Sequence, residues 1–309
     1  MPGAHTSTAF LMRAARRTHN ALMRRRLTVF CVATLALTVA SSAQLKRYDP
    51  EWNRPATPHQ VIGRIYFVGT NALASFLITT RAGHLLLDPG YEESVPLIKS
   101  SIRALGFRYE DVKVLLNSQA HFDHAAGLAL IKRETGARLE VMGDDAALLA
   151  SGGKDDFILG PEYMFPPVKA DRILKDGDVI ELDDVRIIAR HTPGHTKGAT
   201  TFITTAIDEG QAYSVVFATS TTVNTGTRLV GNTRYPGIVS DWERTYAVLD
   251  SLSPGVWVSA HTNVFDMEGK RARIGKGSNP YIDPTGYRRY VESSRQRFGA
   301  LLAGELAAK

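Results

Sequence analysis

"VKVLLNSQAHFDHAAG" occupies residues 112–127. The first five residues are apolar but for one lysine, long enough for a buried strand, and the run stops at Asn117 and Ser118. Gln119, His121, Asp123 and His124 come next. "AGLALIKRETGA" then takes up helical spacing and ends on glycine. In extended chain, residues i and i+2 share a side. Gln119 and His121 therefore face a common point beyond the strand's end, with Asp123 and His124 at the turn into a helix. A strand, a cluster of metal-type donors and a helix, in that order, imply layered α and β structure.

Upstream of this stretch, "VIGRIYFVG", "LASFLITT" and "HLLLD" are short apolar runs separated by glycine, asparagine and Arg-Ala-Gly turns, the pattern of a β-meander. "EESVPLIKSSIRALG" has the spacing of a helix. Downstream, "VIELDDVRIIARH", "ATTFITT", "AYSVVFATS" and "GVWVSAH" read as strands, "SDWERTYAVLDSL" as a helix and "TGYRRYVESSRQRFGALLAGELAAK" as a terminal helix. Each half runs strands first and helix afterwards, which two sheets packed face to face between helices would satisfy. Residues 151–167, "SGGKDDFILGPEYMFPP", form a glycine- and proline-rich loop with aromatics expected at the surface. A loop of that length inside a compact domain is often functional.

The chain of 309 residues carries a formal charge of +6, and the excess sits at the front. Residues 1–43 hold six arginines (Arg13, Arg16, Arg17, Arg24, Arg25, Arg26) and no acid, so the remainder is electrically balanced. A balanced remainder argues against a nucleic-acid surface. "MRRRLTVFCVATLALTVASSAQ", from Met23, has a basic start, an apolar stretch over residues 27–40 and small residues at Ser41 and Ala43. This is the pattern of a secretory signal peptide, cleaved after Ala43, with residues 1–22 as an over-extended start or a lengthened basic region. The apolar stretch is shorter than the ~20 residues of a spanning helix, so no stable membrane anchor is expected. Cys31 is the only cysteine. A chain starting at Gln44 therefore enters an oxidising periplasmic or extracellular compartment without disulfides and relies on its core. Residues 44–309 are expected to form one domain.

Two further histidines lie at strand ends, His195 in "HTPGHTKG" and His261 in "VWVSAHTN". Imidazoles with a carboxylate suit a borderline-soft divalent ion, zinc first. Asp88, closing "HLLLD", is placed either to orient the ligand loop through hydrogen bonds or to cap its own turn.

"QAHFDH", "PGHTKG" and "SAHTN", in this order with "HLLLDPG" upstream, resemble the metallo-β-lactamase superfamily, whose first motif is H-x-H-x-D-H. "DPEWNRPATP", "SGGKDDF" and "LVGNTRYPGI" are similar to the subclass B3 β-lactamases, and glutamine in place of the first histidine to a Gln-His-His branch of that subclass. The resemblance implies an α+β fold, a four-layer αβ/βα sandwich with metals at one edge. It implies two zinc sites, Gln119, His121 and His195 in the first and Asp123, His124 and His261 in the second, with Asp123 also orienting the attacking water. Most hydrolases of the superfamily carry a metal-bridging aspartate after the strand equivalent to "YSVVFA". Here "FATSTT" offers hydroxyls instead, and Ser220 and Thr222 inherit a role in holding the substrate's carboxylate. The function implied is zinc-dependent opening of the β-lactam ring of penicillins, cephalosporins and carbapenems by a metal-bound hydroxide, conferring antibiotic resistance. The alternatives are a secreted lactonase or esterase of the same superfamily and a non-catalytic periplasmic zinc-binding protein. A monomer acting on a small molecule is expected. An amide oxygen is a weaker zinc ligand than imidazole nitrogen, so the Gln119 site is expected to be the looser.

Overall fold

The computed structural model describes residues 49–308; the segment read as a signal peptide, with Cys31 and the cleavage point after Ala43, lies outside them. The first sheet takes seven strands in sequence order: β1 (His59–Ile62), β2 (Ile65–Phe67), β3 (Phe76–Thr80), β4 (Gly83–Leu87), β5 (Val112–Leu116), β6 (Arg138–Met142) and β7 (Arg172–Leu174). Its first four strands form the expected antiparallel meander, and β4 to β7 pair in parallel. The crossovers carry α1 (Val95–Ala104), a single turn α2 (Phe122–Ala125), α3 (Leu128–Thr135) and α4 (Gly143–Ser151).

The second sheet has the order β12-β11-β10-β9-β8, with β8 (Val179–Leu182), β9 (Val185–His191), β10 (Thr200–Asp208), β11 (Gln211–Ala218) and β12 (Val256–Ser259). "VIELDDVRIIARH", expected as strand, is split into the hairpin β8–β9. Asp183 at φ 54° makes the turn, a backbone region that aspartate tolerates better than most residues. Helix α5 (Ile238–Asp250) joins β11 to β12, and α6 (Met267–Arg271) and α7 (Pro284–Ala307) follow β12. Among the described residues, no helix is long and apolar enough to cross a membrane.

The continuous apolar runs of β3 and β4 are explained by burial on both faces. Phe76, Ile78, Leu85 and Leu87 point into the core between the sheets, with Phe202 and Phe217 opposite. Leu77 and Leu86, one residue out of phase, join Ile98, Ile102, Leu128 and Ile131 of α1 and α3 on the outer side. On the other flank Trp242 and Tyr246 of α5 pack against Phe298 of α7. Two mixed sheets between helical layers make the expected α+β sandwich.

Backbone hydrogen bonds stitch the sheets together at one edge: Thr200 N to Ser118 O (2.8 Å), Ala74 N to Ala260 O (2.9 Å) and Thr262 N to Ala72 O (3.0 Å). At this edge β4, β5, β9, β11 and β12 release their C-terminal connections, which carry the residues of the candidate site.

Phe76 is buried with its ring 5.3 Å from that of Phe217 in the opposite sheet and 6.2 Å from Phe265. Phe76→Ala should lower stability by ~3–5 kcal/mol through lost transfer energy and a cavity that rigid strands cannot close. Urea unfolding followed by circular dichroism reads this; a loss below about 1 kcal/mol would mean the sheets repack freely.

Candidate metal centre

The ligand loop is held from three directions. β5 ends at Leu116, and His121, in extended conformation, caps the one-turn helix α2, which places Asp123 and His124 on its first turn. Behind the loop Asp88, buried and at φ 51°, accepts from Ser118 N (2.7 Å), Ser118 Oγ (2.5 Å) and Asn117 Nδ2 (3.1 Å). The carboxylate of Asp88 thus bonds the segment leading to Gln119, and no bond from it to its own turn is seen among the described residues. The third support is Asp145 in α4, also buried. Its Oδ2 accepts from Ala120 N (2.9 Å) and Thr196 Oγ1 (2.6 Å), and its Oδ1 from Gly198 N (2.8 Å). One carboxylate thus joins the loop of Gln119 and His121 to the loop of His195. Burial raises its pKa to about 6 against the hydrogen bonds from Thr196 and Gly198 that favour the charge.

His195 lies in the connection after β9. Gly194 precedes it at φ 128°, and a Cβ there would stand 2.6 Å from the Trp242 ring, so glycine is required on both counts. The Nδ1 of His195 donates to Thr222 O (2.6 Å), which leaves Nε2 as a lone pair. His261 follows β12 and is bridged to Leu73 in the β2–β3 connection, with Trp52 edge-on at 5.4 Å.

Five of the six predicted donors come together in two clusters. Nδ1 of His121 is 3.1 Å from Nε2 of His195. Nε2 of His124 is 3.1 Å from Nε2 of His261 and 3.2 Å from Oδ2 of Asp123, which is 3.5 Å from His261 Nε2. Tetrahedral donors bound at about 2.0–2.1 Å to one ion stand about 3.3 Å apart, so the His121–His195 pair and the Asp123, His124 and His261 group have the spacing zinc requires. Gln119 is fully buried, and neither atom of its amide meets a hydrogen-bond partner among the described residues. An orphaned buried amide of this kind costs about 1–3 kcal/mol per group unless something else satisfies it. Donor spacing and orphaned amide together fit a metal centre.

The electrostatics favour the same species. Burial, then the neighbouring His121 ring, pushes His195 down to about 3; burial and the His124 ring push His261 down to about 4. Both rings are neutral at physiological pH and free to ligate. Burial opposes the charge on Asp123, yet the rings of His124, His261 and His121 outweigh it and hold the carboxyl below its usual range.

Ser220 and Thr222 line a cavity of about 880 Å³ whose wall includes His261 and Trp52. Thr221 between them turns inward and donates to Ser294 Oγ (2.8 Å). The loop of residues 151–167 departs from expectation, because Phe157 and Phe165 are buried, Phe157 against Tyr235 at 4.9 Å. Asp145 and the loop's Asp156, which lies beside His121, went unread in the sequence. The one signal for each was an Asp-Asp pair shortly after glycine, in "MGDDAA" and "GGKDDF".

A family model described as the metallo-beta-lactamase superfamily matches residues 69–261. The native FEZ-1 metallo-beta-lactamase of Legionella gormanii is 40% identical and superimposes with a TM-score of 0.80 over 82% of this chain and 98% of that one. The class B3 di-zinc metallo-beta-lactamase LRA-12 from an Alaskan soil metagenome is 35% identical, with a TM-score of 0.79 over 82% of this chain and 97% of that one. A probable metallo-hydrolase of Burkholderia pseudomallei is 33% identical over 104 residues, 34% of this chain and 34% of that protein. The matched segment is thus about a third of that curated relative's length.

In metal-free protein His195 and His261 should stay neutral as pH falls from 7 to 5, because their pKa values lie near 3 and 4. Ring nitrogen-15 shifts across that range test this; imidazolium shifts on either ring at pH 5.5 would contradict it.

Proposed function

The chain belongs to the metallo-beta-lactamase superfamily, and on that premise we propose that it is an exported zinc-dependent β-lactamase of subclass B3, in the Gln-His-His branch, opening the ring of penicillins, cephalosporins and carbapenems. The observation that carries this reading is the pair of donor groups at zinc spacing beside a strand end that offers Thr219, Ser220, Thr221 and Thr222 and no carboxylate. A site without a bridging aspartate suits the B3 assignment over the lactonases and esterases of the superfamily.

Gln119, His121 and His195 would hold one zinc and Asp123, His124 and His261 the other. Zinc bound there supplies a hydroxide-strength nucleophile at neutral pH and Lewis acidity toward the lactam carbonyl and departing nitrogen. The chain's own contribution is orientation. Thr222 O and the lone pair it leaves on His195 fix one ring, while Asp123 supplies the only formal charge among the six donors and an acceptor for a water proton. Ser220 and Thr222 present hydroxyls to the carboxylate of the substrate.

Hydrolysis of a carbapenem, a penicillin and a lactone by the purified protein, with and without chelator, tests the proposal. Chelator-sensitive turnover of the lactams is expected, and turnover of the lactone alone would contradict it. His261→Ala should cost on the order of a thousandfold in kcat/KM, the equivalent of the several kcal/mol that a Lewis-acid ion contributes. Gln119→Ala, which strips the weaker donor from the other site, should cost about tenfold or less. Equal losses would refute the ranking of the sites.

A further inference from the structure

One side chain of the loop at residues 151–167 reaches the ligand group without belonging to it. Asp156 is 3% exposed, and its two carboxylate oxygens do different things. Oδ1 accepts from the backbone N–H groups of Ile158 (2.7 Å) and Leu159 (2.8 Å), closing a turn inside the loop. Oδ2 lies 3.2 Å from Nε2 of His121, whose opposite nitrogen, Nδ1, faces His195. The backbone carbonyl of Asp156 accepts from the guanidinium of Arg234, so the loop is tied to the segment before α5 as well.

We propose that Asp156 is a positioning residue for the Gln119 site: its Oδ2 holds the ring proton of His121 on Nε2 and so keeps Nδ1 available to the metal. The proposal rests on the two-site reading above. A neutral imidazole carries one proton, and a ring protonated on Nδ1 cannot ligate through that atom. A carboxylate on the far nitrogen selects the productive tautomer, fixes the ring plane and raises the basicity of the ligating nitrogen. The dependence is greater here than in a site of three imidazoles. Gln119 brings a weak donor, so the first ion relies on His121 and His195. His195 has its tautomer set by Thr222 O; Asp156 Oδ2, 3.2 Å from His121 Nε2 and short of an aligned hydrogen bond in this geometry, is the group placed to accept from it, and neither atom has another hydrogen-bond partner among the described residues. First-site affinity and the seating of the loop are thereby linked, because any displacement of the loop at Asp156 withdraws the acceptor.

Asp156→Asn separates this role from a structural one. Asparagine keeps an oxygen for the N–H groups of Ile158 and Leu159 but turns an NH2 donor toward His121, which favours a lone pair on Nε2 and the proton on Nδ1. Metal-stripped full chain, wild type beside D156N, is titrated with zinc against a competing chelator. The wild type should take two ions, and D156N should bind the tighter with unchanged affinity and the weaker about 10–100-fold less well. In nitrogen-15 histidine spectra of the zinc-loaded wild type, the Nε2 proton of His121 should be shifted downfield and slow to exchange, and D156N should lose that signal. Unchanged first-site affinity in D156N, or equal weakening of both sites, overturns the proposal while leaving the two-site reading intact. Wild type that takes no second zinc overturns both. The spectrum needs no variant: a His121 Nε2 proton exchanging freely in the wild type overturns the proposal by itself.

Discussion

The site depends on a carboxylate that holds two distant pieces of chain in one grip. Asp145 accepts from Ala120, Thr196 and Gly198, and so fixes the ligand loop of the first sheet against that of the second. The hydrogen bonds Thr200 to Ser118, Ala74 to Ala260 and Thr262 to Ala72 repeat that junction along the same edge. Donors separated by 74 and 137 residues in sequence are thereby brought to 3.1 Å. Proximity of this kind has an electrostatic consequence. Burial and a neighbouring ring drive His195 and His261 neutral and, against burial, the surrounding rings hold Asp123 ionised, as a divalent cation requires, whereas Asp123, also against burial, raises the pKa of His124 in the absence of metal.

The two donor groups are chemically unequal, which accounts for Gln119. The second group carries the charge of Asp123 and two imidazoles; the first has two imidazoles and an amide that is neutral and harder. Coulomb attraction and ligand softness both rank the second group higher. Burying an amide without a partner is costly in any protein, and Gln119 is fully buried. On the proposed two-site reading, an ion bound at Gln119 would offset that cost.

Much of this was legible in sequence for a physical reason. β3, β4 and β5 announce themselves because strands buried on both faces must be continuously apolar, and "VKVLL" matches β5 residue for residue. The donors were legible because metal chemistry admits few residue types. β6, α4 and β7 were not, since "RLEVM" and "GDDAALLAS" are short, mixed in polarity and decided by neighbours far along the chain. The Asp183 hairpin was hidden by apolar residues on both sides of the turn. Asp145 and Asp156 escaped for a similar reason, because their partners are backbone and ring N–H groups that leave no mark on composition. The burial of Phe157 against Tyr235 likewise depends on tertiary contact between two glycine- and proline-bearing segments that each look solvent-facing in isolation.

The central claim is that this edge assembles two metal positions of unequal strength. Anomalous X-ray scattering at the zinc absorption edge, from crystals of the purified protein, tests it most directly. The account predicts two peaks, a strong one among Asp123, His124 and His261 and a weaker one among Gln119, His121 and His195. A single peak on the Gln119 side, or none in either group, would contradict it.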